Sequence, residues 1–141
     1  MRITKRKAIF VGLTSIIVAL GFQVFNDVSC YKYELMDSLS GIWFPAIPLL
    51  PAVISLFTRN PLRAVGASAI VIPFYLMAYI ADCTQPNQGG GASMIYVAVI
   101  MFGLPLATVM ALITGSICQS VGIEIIPANL SFKRDALKRA P

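Results

Sequence analysis

The 141-residue chain contains no histidine. That removes the commonest general base and the commonest metal ligand together. Charge is scarce as well: Asp, Glu, Lys and Arg make up 12% of the residues, against roughly 25% in soluble domains. None of the four occurs in residues 8–25, 42–58, 64–81 or 94–118. An ionisable residue inside such a run is the usual mark of a proton or ion path, so a proton-coupled transporter is not signalled. There are three cysteines and no C-x-x-C pair. Thiol–disulfide catalysis needs a neighbouring thiol to resolve the mixed disulfide, and that pairing is missing. Gly89–Gly91 is not a phosphate loop, because it lacks the lysine and the strand–helix setting. These absences leave no catalytic residue, no cofactor site and no metal site. The sequence reads as a non-enzyme.

What is present is apolar sequence in blocks, 57% of the chain. Four blocks predict an all-α, polytopic membrane protein, with four transmembrane helices in a compact bundle. The expected spans are about 8–25, 42–58, 64–81 and 94–118, within a single membrane domain covering residues 1–141. Outer loops are expected at 26–41 and 82–93, and a basic tail at 119–141. Arg2, Lys5, Arg6 and Lys7 before the first run resemble the start of a signal peptide. The run is long for a signal-peptide core and no A-x-A pattern follows it, so it is read as an uncleaved first membrane helix.

The basic residues orient the bundle. Arg2, Lys5, Arg6, Lys7, Arg59, Arg63, Lys133, Arg134, Lys138 and Arg139 all fall on the side of the termini, and only Lys32 falls on the other. By the positive-inside rule both termini are expected in the cytoplasm, and the location is a bacterial inner membrane. The net charge of +5 is then a property of the cytoplasmic loops, and no nucleic-acid partner is implied. The tail from Ser131, with Phe132, Ala136, Leu137 and Ala140 at helical spacing, suits a short basic helix on the lipid surface.

Cys30 and Cys83 fall in the two outer loops, where disulfides persist. A Cys30–Cys83 bond is expected, with Cys118 left reduced near the inner end. Prolines punctuate the spans. Pro48 and Pro51 each remove a helical hydrogen bond and free the carbonyls of Phe44 and Ile47. Those carbonyls need other partners in hydrocarbon, so the second span is expected to be kinked or locally unwound. Pro73 and Pro105 predict further kinks in spans three and four. Gly103, Ala107, Ala111 and Gly115 recur at intervals of four and form a small-residue ridge. Helices pack closely in lipid on such ridges, and this one is expected to be filled within the chain by span one or span three.

Aromatic and acidic residues collect on the outer side, including Tyr31, Tyr33, Asp37, Trp43, Phe44 and Asp82. This face is the candidate contact surface for a partner. The function expected from these features is non-enzymatic: helix packing in the bilayer and outer-face contacts with another membrane protein. An accessory or assembly subunit, or an immunity-type protein against a membrane-active toxin, fits. The alternative is a homo-oligomeric pore or small permeation protein assembled through the 103–115 ridge.

Overall fold

The computed structural model describes residues 2–84 and 92–126, and it is built from helices. The chain opens on a three-residue strand, β1 (Arg2–Thr4), and enters α1 (Lys5–Ser29). A short α2 (Leu35–Gly41) follows. A 3-10 turn at Ile47–Leu49 then leads into α3 (Leu50–Phe57). The long helices α4 (Arg63–Tyr79) and α5 (Ala92–Ser120) complete the helical part, and β2 (Glu124–Ile126) closes the described chain. The basic helix expected near the C terminus, the glycine-rich part of the second outer loop and most of the tail lie outside the described residues.

Among the described residues, three helical stretches are long and apolar enough to cross a membrane: Lys5–Ser29, Arg63–Thr84 and Ile95–Ser120. The second expected span is different. Its helical part is only Ile47–Phe57, about 18 Å at 3-10 and α rises, which is less than a hydrocarbon core of about 30 Å. Residues 42–46 are turns rather than helix. The prolines explain this. The carbonyl of Phe44 accepts from the Ile47 N–H (3.2 Å), and the carbonyl of Ile47 accepts from the Leu50 N–H. Tightening from i→i+4 to i→i+3 contacts supplies the partners that Pro48 and Pro51 cannot. The Pro45 carbonyl is taken by the Tyr75 hydroxyl at 2.6 Å.

By contrast, α4 and α5 run through Pro73 and Pro105 as continuous helices, and both prolines lie on exposed faces. The helical part of α4 ends in a π-helical turn, Ile80–Thr84. At the other boundary, α1 continues four residues beyond the expected end at Phe25. That extension carries Asn26 and Asp27 onto the helix, where both are buried.

The bundle is organised around α4. Its residues Ala64, Gly66, Ala67, Ser68, Val71, Tyr75 and Ala78 are all buried, and α1, α3 and α5 pack against it. The approaches are close because the facing residues are small. An added Cβ on Gly12 would lie 3.1 Å from the Ala64 Cβ and 2.7 Å from Leu56. On Gly66 it would lie 2.9 Å from the Met110 carbonyl of α5. Ser15 Oγ reaches Ser68 Oγ at 3.4 Å across the α1–α4 seam. The interior is thus mostly Ala, Gly and Ser, with Leu49, Val71 and Tyr75 as the larger fully buried members. Large apolar residues such as Phe10, Ile17, Phe57, Met101 and Phe102 are exposed. This inversion suits a lipid solvent, which does not drive large apolar groups inward and leaves close backbone packing to hold helices together.

Two features fasten the ends. β1 pairs in parallel with β2, Arg2 opposite Glu124 and Thr4 opposite Ile126. Arg2 Nε and Glu124 Oε2 form an exposed ion pair at 3.1 Å. The chain is mostly helical, as expected, and these two short strands bring the start of α1 and the end of α5 together. At the opposite end, Cys30 and Cys83 are bonded as expected, with Cα atoms 5.5 Å apart. Cys118 is free and buried.

Candidate functional site

The last two turns of α1 carry Gln23, Asn26 and Asp27 on its inward face. Their i, i+3, i+4 spacing continues the buried stripe of Gly12, Ile16 and Ala19. An apolar seam thereby becomes a polar one at the disulfide-clamped end. Gln23 and Asn26 are each only 1% exposed, so each polar atom must find a partner inside the protein. Gln23 Nε2 donates to Asp27 Oδ1 and to the Tyr96 hydroxyl, both at 3.0 Å. Asp27 Oδ2 accepts from Ser38 Oγ at 2.7 Å, which docks α2 onto α1. Asn26 Nδ2 donates to the Tyr75 carbonyl at 3.0 Å. With the Tyr75–Pro45 bond, the network joins α1, α2, the 42–46 turns, α4 and α5. Among the described residues, two acceptors in it have no hydrogen-bond partner: Gln23 Oε1 and Asn26 Oδ1.

The loop after α1 completes the site. Lys32 has φ of 59°, in the left-handed region that side chains with a Cβ rarely adopt. It turns the chain between Tyr31 and Tyr33, whose rings stack at 5.9 Å. Tyr31 also lies 6.3 Å from the Tyr96 ring and donates its hydroxyl to Asp82. Burial, reinforced by the Asp82 hydrogen bond, holds the Tyr31 phenol well above its ordinary pKa of 10.0.

Beneath these rings is a cavity of about 490 Å³. It is lined by Gln23, Asp27, Tyr31, Tyr33, Asp37, Ser38, Gly41, Phe44, Pro45, Tyr96 and Val97. Its volume is in the range of small-ligand sites, roughly 300–1,000 Å³. The lining holds two carboxylates, four aromatic rings and no basic side chain.

Of the residues expected to form a partner face, Tyr31, Tyr33, Asp37 and Phe44 line this cavity. Asp82 reaches it only through Tyr31. Trp43 is 69% exposed, packs edge-on to Phe44 at 5.9 Å, and borders a separate apolar groove with Ile16, Leu20 and Leu49. The ridge residues Gly103, Ala107, Ala111 and Gly115 are all buried within the chain. Gly103 faces Pro48 and Phe74, and Gly115 faces the Arg63 side chain. Gln23, Asp27, Ser38 and Tyr96 are the site residues that composition alone does not single out. The helical spacing of Gln23, Asn26 and Asp27 is the signal that finds the first two.

Among the described residues, no three His, Cys, Asp or Glu side chains converge as a metal site. No protein-family model, curated protein or solved structure matches the chain.

Proposed function

We propose that the chain is a four-pass integral protein of a bacterial inner membrane, with both ends in the cytoplasm, acting as a non-enzymatic partner of another membrane protein. In this reading residues 42–57 make the second pass as a partly unwound segment shielded by α4 and α5. The clustering of basic residues near the β1–β2 end supports the orientation. In this orientation the disulfide and the polar cavity face outward.

The observation that carries the partner reading is the outer rim. The short helix α2 leaves Leu35, Met36 (75% exposed) and Leu39 exposed, and Tyr33 and Trp43, which flank it in sequence, are exposed as well. Exposed apolar and aromatic side chains grouped on a rigid, disulfide-held end suit a protein contact. An accessory subunit and an immunity-type protein both use such a surface. The ridge on α5 is already occupied within the chain, which favours this reading over self-assembly into a pore.

Photo-crosslinking in native membranes tests it. Crosslinkers placed at Met36 and Trp43 are expected to capture a second, different protein, while one at Met101 on the exposed flank of α5 captures lipid. Adducts only between copies of this chain would favour the pore reading. No protein adduct at either rim position would refute the partner reading.

A further inference from the structure

We propose that the outer cavity is a binding site for an organic cation, an ammonium or guanidinium head on an apolar stem. Asp27 and Asp37 both line the cavity, and no Lys or Arg does. The one basic residue nearby, Lys32, is exposed, and the only ion pair among the described residues is Arg2–Glu124, at the far end of the bundle. Among the described residues, no ion pair therefore compensates the two carboxylates.

The second observation is an unmet acceptor. Gln23 is buried, lines the cavity, and leaves Oε1 without a hydrogen-bond partner. Exchanging the amide atoms does not help, because the oxygen would then face Asp27 and the NH₂ group would lose its carboxylate. Each Asp27 oxygen accepts one donor, from Gln23 or Ser38, and has capacity for a second. The acidic groups of the site thus lack positive charge, which an ammonium or guanidinium supplies along with hydrogen-bond donors.

The walls select the rest of the ligand. Tyr31, Tyr33, Phe44 and Tyr96 surround the acidic groups, and ring faces attract cations while accepting an apolar stem. For a metal ion the cavity offers only two carboxylates, and among the described residues no three His, Cys, Asp or Glu side chains converge. An anion meets two negative charges. A neutral apolar molecule leaves Gln23 Oε1 unsatisfied at a cost. The cation has two sources, a free small amine or a Lys or Arg side chain of another protein, and they share this chemistry.

Calorimetric titration of the full chain in a neutral detergent tests the proposal. Benzylammonium and benzylguanidinium are expected to bind, benzyl alcohol about tenfold more weakly, and benzoate not at all. Asp27→Asn is expected to weaken benzylammonium about tenfold. Because Asp27 also holds α2, Asp37→Asn serves as the second variant: among the described residues its side chain makes no hydrogen bond, and the expected loss is about twofold to fivefold with unfolding unchanged. A short neutral peptide with one central arginine separates the sources. Tighter binding of the peptide than of benzylguanidinium assigns the site to a protein side chain, and the reverse assigns it to a free amine. Benzyl alcohol or benzoate binding as well as benzylammonium would overturn the proposal. So would unchanged affinity in both aspartate variants.

Discussion

Replacing Gly66 with alanine tests the packing of α4 on α5 with a single methyl group. The new Cβ would lie 1.8 Å from Thr114 Oγ1, 2.8 Å from Thr114 Cβ and 2.9 Å from the Met110 carbonyl oxygen. Rotating Thr114 relieves the first contact but gives up its 2.8 Å bond to the Met110 carbonyl. The other two atoms are fixed by the backbone of α5, so the helices must separate. Overpacking costs about 1–3 kcal/mol, and contact with backbone places this site at the upper end. The better helix propensity of alanine offsets at most about 1 kcal/mol. The expected net loss is therefore about 2 kcal/mol. Gly21 is the internal control: its added Cβ meets nothing within 4 Å, so Gly21→Ala should be neutral or stabilise by up to about 1 kcal/mol. Unfolding by SDS in mixed micelles, followed by circular dichroism, measures both. Adding Thr114→Gly to Gly66→Ala removes two of the three contacts and should recover most of the loss as a coupling energy. Unfolding of Gly66→Ala at the same SDS fraction as the native chain, or equal damage from Gly21→Ala, would refute close packing of α4 on α5 at this point.

Three further outcomes are expected. Cys30→Ser opens a link between residues 53 apart in sequence and should cost up to about 4 kcal/mol, less where the bilayer already restrains the unfolded chain; mass spectrometry after alkylation without reductant should label neither Cys30 nor Cys83 in the native protein. Tyr75→Phe leaves the buried Pro45 carbonyl without its 2.6 Å donor and should cost about 1–3 kcal/mol in the same SDS assay, with the loss refuted by an unchanged midpoint. The folded state raises the Tyr31 pKa, so it holds that proton more tightly than the unfolded chain does. The contribution is complete below the ordinary value of 10.0 and is lost as pH rises beyond it; Tyr31→Phe should flatten the alkaline fall of the SDS midpoint, and an equally steep fall in both proteins would contradict this.

The parts of the fold visible in the sequence are those that rest on one strong physical rule. Uninterrupted apolar length marks three helices. Prolines at 48 and 51 cannot donate, and the tightened turns from Phe44 to Leu50 follow from that. Two cysteines in loops on the same side, Cys30 and Cys83, meet. The candidate site was less visible because its rule is local satisfaction. Asn26 and Asp27 look like the start of a loop by polarity. They remain helical because Tyr75 and Ser38, distant in sequence, bond to them. The β1–β2 pairing was not readable at all, since three-residue strands such as Arg2–Thr4 carry no periodic pattern.

The polar end of α1 also sets an order for biogenesis. Ribosomes deliver α1 first, yet Asn26 waits for Tyr75, Gln23 for Tyr96 and Cys30 for Cys83. At about 5–20 residues per second, the interval between Ser29 and the β2 strand is on the order of ten seconds. During that time the polar end of α1 lacks the protein partners it has in the fold, so completion of the cavity waits until α4 and α5 emerge.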